Sequence, residues 1–135
     1  MTYLLDVNAL VALGFLEHEF HKRVAQWVRG LAKMGTPELA TCSITELSFV
    51  RVLAQAPQYG FTVSQACNLL QRLKATQKVN FEFIHDDLDI SQLPSWVKTA
   101  KQTTDGHLAQ LAAVHGALLA TLDRRIRHAF VIPLE

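Results

Sequence analysis

Six residues lie between Gly116 and Asp123, A-L-L-A-T-L, too few for a helix and apolar enough for a strand buried on both faces. Before them runs T-T-D-G-H-L-A-Q-L-A-A-V-H. There Leu108, Leu111, Ala112 and His115 recur at helical spacing, behind Thr103 or Thr104 as a cap. Gly116 ends that helix. Residues 2–5 repeat the scheme: a short apolar strand stops at Asp6, and a helix through Leu10, Val11, Leu13 and Phe15 follows, with Asn8 able to cap it. Residues 39–42 form another such strand, and Ser43 opens the helix after it. Residues 79–84 alternate as an edge strand would, and residues 129–132 add a last edge strand stopped by Pro133. Further helices carry Val24, Trp27, Val28 and Leu31, then Ala66, Leu69, Leu70 and Leu73. Pro94, Trp96 and Val97 suggest a short helix packed on the core.

Short buried strands alternating with helices predict a three-layer α/β/α sandwich around a short, mainly parallel central sheet. Right-handed crossovers then bring the strand ends to one edge. At 135 residues the chain suits a single domain, residues 1–135. Half its residues are hydrophobic and 19% are charged, which excludes a disordered chain. A net charge of +1 gives little long-range field, so nucleic-acid contact would have to come from local basic groups. No basic segment precedes an apolar stretch at the N-terminus, and no apolar run reaches the ~20 residues of a membrane helix. Cys42 and Cys67 read as free thiols in apolar segments. The expected location is the cytoplasm.

Against this apolar pattern four acids stand out. Asp105 shares a helix face with Leu108, Ala109 and Ala112, and Glu46 shares one with Phe49, Val50 and Leu53. Asp6 and Asp123 end two strands, where open α/β sheets place their ligand sites. Each has a structural alternative. Asp6 can cap the helix that follows it, and Glu46 can close a capping box with Ser43. If the strands are parallel, however, all four collect at one end of the sheet. Like charges about 4 Å apart repel by roughly 4 kcal/mol at an effective dielectric near 20, so such a cluster must protonate, spread or bind a cation. An oxygen-only donor set with no Cys or His favours Mg²⁺ or Mn²⁺, and carboxylate-held Mg²⁺ commonly activates water against a phosphodiester. Arg51, Arg124, Arg125 and Arg127 are candidate phosphate partners. The segment E-H-E-F-H lacks the spacing of a zinc-protease helix, and the acidic run at residues 85–89 lacks the Gly and closing Glu of a calcium loop.

The segments L-L-D-V-N-A-L-V-A-L, T-E-L-S-F-V-R-V-L, T-D-G-H-L-A-Q-L-A and A-T-L-D-R-R-I, in that order, resemble the PIN-domain ribonucleases, and among them the VapC-type toxins. The segment E-H-E-F-H-K-R-V-A-Q-W is similar to the region after the first helix of such toxins. The resemblance spans nearly the whole chain. It implies that Asp6, Glu46, Asp105 and Asp123 are the catalytic and metal-binding acids, supported by Asn8 and Thr104. It also implies an endoribonuclease dependent on Mg²⁺ or Mn²⁺, usually a homodimer, held inactive by a small cognate antitoxin. Gly106 stands where Ala is expected.

Two other readings fit parts of the pattern. A Mg²⁺-dependent phosphatase of the haloacid class would carry Asp-x-Asp after its first strand, whereas this chain has Asp6-x-Asn8. A phosphoreceiver would carry adjacent acids there and a later strand-end lysine. A non-catalytic PIN-like binding module would typically have lost at least one of the four acids, and all four are present.

Overall fold

A computed structural model describes residues 1–134. Its five strands are β1 (Thr2–Leu5), β2 (Glu38–Cys42), β3 (Asn80–Ile84), β4 (Leu118–Thr121) and β5 (Phe130–Val131). They form one sheet in the order β3-β2-β1-β4-β5, and every pairing is parallel. The expectation of a mainly parallel sheet is thus met throughout, with β3 and β5 at the edges. Five α-helices flank it: α1 (Val7–Gly14), α2 (His21–Ala32), α3 (Ser43–Gln55), α4 (Val63–Lys74) and α5 (Thr103–Val114).

Alternation along the strands sorts side chains between two cores. Leu5, Leu39 and Ala120 face α1, α2, α3 and α4, where they pack with Leu10, Val24, Phe49, Leu53 and Leu70. Leu4, Ala40 and Leu119 face the other way, onto Leu108, Leu111 and Ala112 of α5. Adjacent residues in one strand thus serve opposite layers, the period-two rule of a sheet covered on both faces. Burying a Leu of this kind contributes roughly 1.5–3 kcal/mol, so these layers are the main source of stability.

Helix starts decide between two candidate caps for α1 and differ from expectation at α3 and α5. Asp6, not Asn8, caps α1: its Oδ1 accepts from the Ala9 amide at 2.8 Å. Cys42 rather than Ser43 caps α3, and Thr45 closes the box by accepting from the Cys42 amide at 3.0 Å. Neither Thr103 nor Thr104 caps α5, because a 3-10 turn, Ala100–Gln102, feeds directly into it. Gly116 (φ +70°) then turns the chain from α5 into β4, a left-handed conformation that glycine takes without a Cβ clash.

No helix spans Pro94, Trp96 and Val97. A turn lies there between two 3-10 turns, Ile90–Gln92 and Ala100–Gln102. Trp96 still packs on the α5 core, and a Cβ built at Gly106 would lie 2.2 Å from Val97 Cγ2. Gly106 therefore admits the loop against the helix. Among the described residues, no helix is long and apolar enough to cross a membrane. Cys42 and Cys67 are free thiols.

Candidate active site

The parallel sheet sets all four acids at its carboxyl edge. Asp6 follows β1, and Asp123 comes just after β4. Glu46 and Asp105 lie in the first turns of α3 and α5, which both start at that edge and run away from it. Both helical acids share a buried apolar face: Phe49 and Leu53 are fully buried, as is Leu108, with Ala109 nearly so.

Asp6 is the innermost of the four, only 5% exposed. Its backbone amide still belongs to the sheet, donating to the Ala120 carbonyl at 3.0 Å. Its side chain accepts the Ala9 amide on one oxygen and the Thr121 hydroxyl, at 2.5 Å, on the other. Register explains the second bond: Leu5 pairs with Ala120, so the next residues, Asp6 and Thr121, lie side by side. Burial pushes the Asp6 carboxyl up to about 6, and the charges of Asp105 and Asp123 push the same way. The hydrogen bonds from Thr121 and Ala9 pull against them.

Asp105 is also raised, first by burial and then by Asp123, with Arg125 opposing. Asp123 is lowered by hydrogen bonds from Arg125. Arg125 grips it with Nε on Oδ1 and a terminal nitrogen on Oδ2, each at 3.0 Å, and adds its backbone amide at 2.9 Å. The Asp123 amide in turn donates to Thr121 Oγ1 at 3.0 Å. One buried hydroxyl therefore ties the acids that end two adjacent strands.

Glu46 stands apart from this trio. It accepts the Thr41 hydroxyl at 2.6 Å and pairs with Lys74 of α4, whose ammonium also lies 5.4 Å from the centre of the Phe83 ring. It closes no capping box. Thr41 and Thr121, in the strands on either side of β1, thus perform the same service for two different acids. Among the described residues, no three His, Cys, Asp or Glu side chains are gathered closely enough to hold one ion as they stand. The donor chemistry nevertheless fits a hard cation: carboxylate oxygens only, three of them electrostatically coupled.

The supporting residues divide. Asn8 is exposed and lines a cavity with Asp123 and Arg124. Thr104 is exposed in the first turn of α5. Arg51 reaches Ser48 Oγ at 3.4 Å, and Arg124 and Arg127 are exposed. Thr41, Thr121 and Lys74 were not singled out by sequence. The first two carry a weak signal, a hydroxyl at the end of a buried strand; Lys74 carries none, since its partner lies 28 positions earlier.

A family model described as PIN domain matches residues 3–130. Ribonuclease VapC29 of Mycobacterium tuberculosis is 35% identical over 129 residues, covering 95% of this chain and 90% of the relative. Ribonuclease VapC44 of the same organism is 36% identical over 132 residues, covering 93% and 89%. Among solved structures, VapBC2 from Rickettsia felis, bound to a DNA fragment from its promoter, includes a chain that superposes with a TM-score of 0.62. That match covers 96% of both chains at 17% identity, a likeness of fold.

Proposed function

The chain belongs to the PIN-domain family, within its VapC-type ribonucleases, and we propose that it is a metal-dependent endoribonuclease toxin built as one domain over residues 1–135. The observation that carries this reading is the coupled trio of Asp6, Asp105 and Asp123 at the carboxyl edge of a parallel sheet. Structural acids settle with partners that favour their charge. Asp6 has two such hydrogen-bond partners, yet burial and its acidic neighbours still raise its pKa. Burial and Asp123 raise that of Asp105, an arrangement suited to carboxylates that share a cation.

Asp6, Asp105 and Asp123 would hold Mg²⁺ or Mn²⁺, with Glu46 closing the set after a turn of its side chain. Such a cation acidifies water and offsets charge on the phosphate under attack. The chain's own groups do the rest. Thr121 fixes the Asp6 carboxyl, Asn8 and Thr104 flank the edge, and Arg124 lies exposed where a phosphate would pass. Arg51, Arg125 and Arg127 add positive charge for the RNA backbone, Arg125 once it leaves Asp123.

We place the protein in the cytoplasm, with RNA as substrate and a small antitoxin as inhibitor. An acidic edge that already draws Lys74 and Arg125 is suited to an Arg or Lys supplied by a partner. Beside Glu46 and Lys74 a cavity of about 420 Å³ runs between α3 and α4, lined by Leu47, Val50, Leu70 and Phe83, an apolar seat for the rest of such a segment. A homodimer would use apolar helix surface rather than the acidic edge; a strict monomer by sedimentation at tens of micromolar would count against it. The phosphatase reading is not favoured, because Asn8 stands where the second aspartate belongs.

The direct test is incubation of purified protein with RNA in Mg²⁺, Mn²⁺, Zn²⁺ or EDTA. Cleavage is expected with the first two alone, and Asp105→Asn should abolish it. Cleavage that persists in EDTA would overturn the metal-dependent assignment.

A further inference from the structure

Asp123 borders a cavity on each side. One, of about 220 Å³, is shared with Trp96, Gln102 and Asp105. The other, of about 500 Å³, is formed with Asn8, His18, Phe20, Leu122 and Arg124. A nucleic-acid strand whose phosphate sits at the acids continues in both directions, which directs its neighbouring nucleotides toward these two cavities. The larger contains two aromatic rings, those of His18 and Phe20. We propose that His18 and Phe20 form a nucleobase subsite for the nucleotide beside the cleaved phosphate of a single-stranded RNA, a reading that rests on the endoribonuclease assignment.

Phe20 has no packing role that explains it. It is 40% exposed and joins neither core, and it precedes α2 without a side-chain capping bond. The His18 and Phe20 rings lie 5.8 Å apart and tilted by 46°. The Phe20 amide donates to His18 Nδ1 at 3.0 Å, which leaves the ring proton on Nε2 as a donor. Burial lowers the His18 pKa, which favours the neutral ring in the free protein. A neutral donor beside an aromatic face suits a base and not a phosphate. Glu19, which also borders this cavity, repels phosphate from the ring pair, while Arg124 attracts it at the other side. Bases in a duplex are stacked on both faces, so a subsite that takes one on an aromatic ring selects unpaired RNA.

The test uses a short fluorescein-labelled RNA of mixed sequence, its affinity read by anisotropy in EDTA so that it stays intact. Phe20→Ala and His18→Ala should each weaken binding by about 5- to 150-fold, the range of one base–aromatic stack. Phe20→Tyr, which keeps the ring, should bind as the parent does, and so should Leu16→Ala, an exposed residue of the same segment. In a cleaved random pool with Mn²⁺, Phe20→Ala should flatten the base preference at one position beside the cut. If both alanine variants keep the parent's affinity and base preference while the parent cuts RNA, the subsite is wrong and the nuclease reading stands. If the parent neither binds nor cuts the pool, both fall.

Discussion

Thr121 Oγ1 lies 2.5 Å from Asp6 Oδ2, fully buried, and joins residues 115 positions apart in sequence. The same oxygen accepts the Asp123 amide. Thr121→Val keeps the shape and removes both bonds. It should destabilise the fold by about 1–3 kcal/mol, the cost of leaving buried polar groups unpaired. It should also raise the Asp6 pKa above its parent value, since the bond that favours the carboxylate is gone. A ¹³C titration of the Asp6 carboxyl reads this directly; an unchanged midpoint would mean the bond does not tune the acid.

Asp6 also predicts how stability changes with pH. Its folded pKa, about 6, lies above the ordinary 3.8, so across that window the folded state holds more protons than the unfolded one. Stability from this group is therefore full below pH 4 and declines as pH rises toward 6, by about 3 kcal/mol in all. Asp105 acts in the same direction, while Asp86 and Asp123, both lowered, act in the opposite one. Asp6→Asn isolates the term: melted in EDTA, it should exceed the parent at pH 7 and lose that advantage at pH 4. A variant less stable than the parent at pH 7 would mark Asp6 as chiefly the cap of α1.

Metal binding should appear as heat stability. A cation that binds only the folded state raises the melting temperature with concentration. Mg²⁺ should do so for the parent and much less for Asp6→Asn or Asp105→Asn. Equal shifts in all three proteins would place the cation elsewhere.

Arg125 competes for the same carboxylate. Its guanidinium holds both oxygens of Asp123 from an exposed position, so its removal should tighten Mn²⁺ binding a few-fold. Arg125→Ala measured by calorimetry checks this, and weaker binding would make Arg125 a support for the site instead of a competitor.

Gly106→Ala should destabilise the protein despite the better helix propensity of Ala, worth about 1 kcal/mol. A Cβ 2.2 Å from Val97 Cγ2 forces the 94–97 turn off α5, and overpacking of this kind costs about 1–3 kcal/mol. Adding Val97→Ala should recover part of the loss; no recovery would put the strain elsewhere.

Strands β1, β2 and β4 are legible because they are short and apolar, with Gly116 before β4 and an acid after β1 and β4, signals that do not depend on tertiary context. The acids were legible as charges on apolar helix faces and at strand ends. Less visible was how they are held. Thr41 and Thr121 read as ordinary strand residues until register sets Thr121 beside Asp6 and the turn into α3 sets Thr41 under Glu46. The capping role of Glu46 failed because Thr45, one position earlier, reaches the Cys42 amide first, which leaves the carboxylate to Thr41 and Lys74. The 94–97 segment was misread as helix because its apolar residues answer to Gly106, across the chain, and not to a local period.

The placement of β1 at the centre of the sheet has a consequence for synthesis. This strand is made before the other four, yet one of its neighbours is β2 and the other is β4, with Tyr3 paired to Leu118. Pairings of such sequence separation form slowly and late. Asp6 cannot meet Thr121 until translation has passed residue 121, so the acidic edge cannot assemble on a chain that has not yet been made that far.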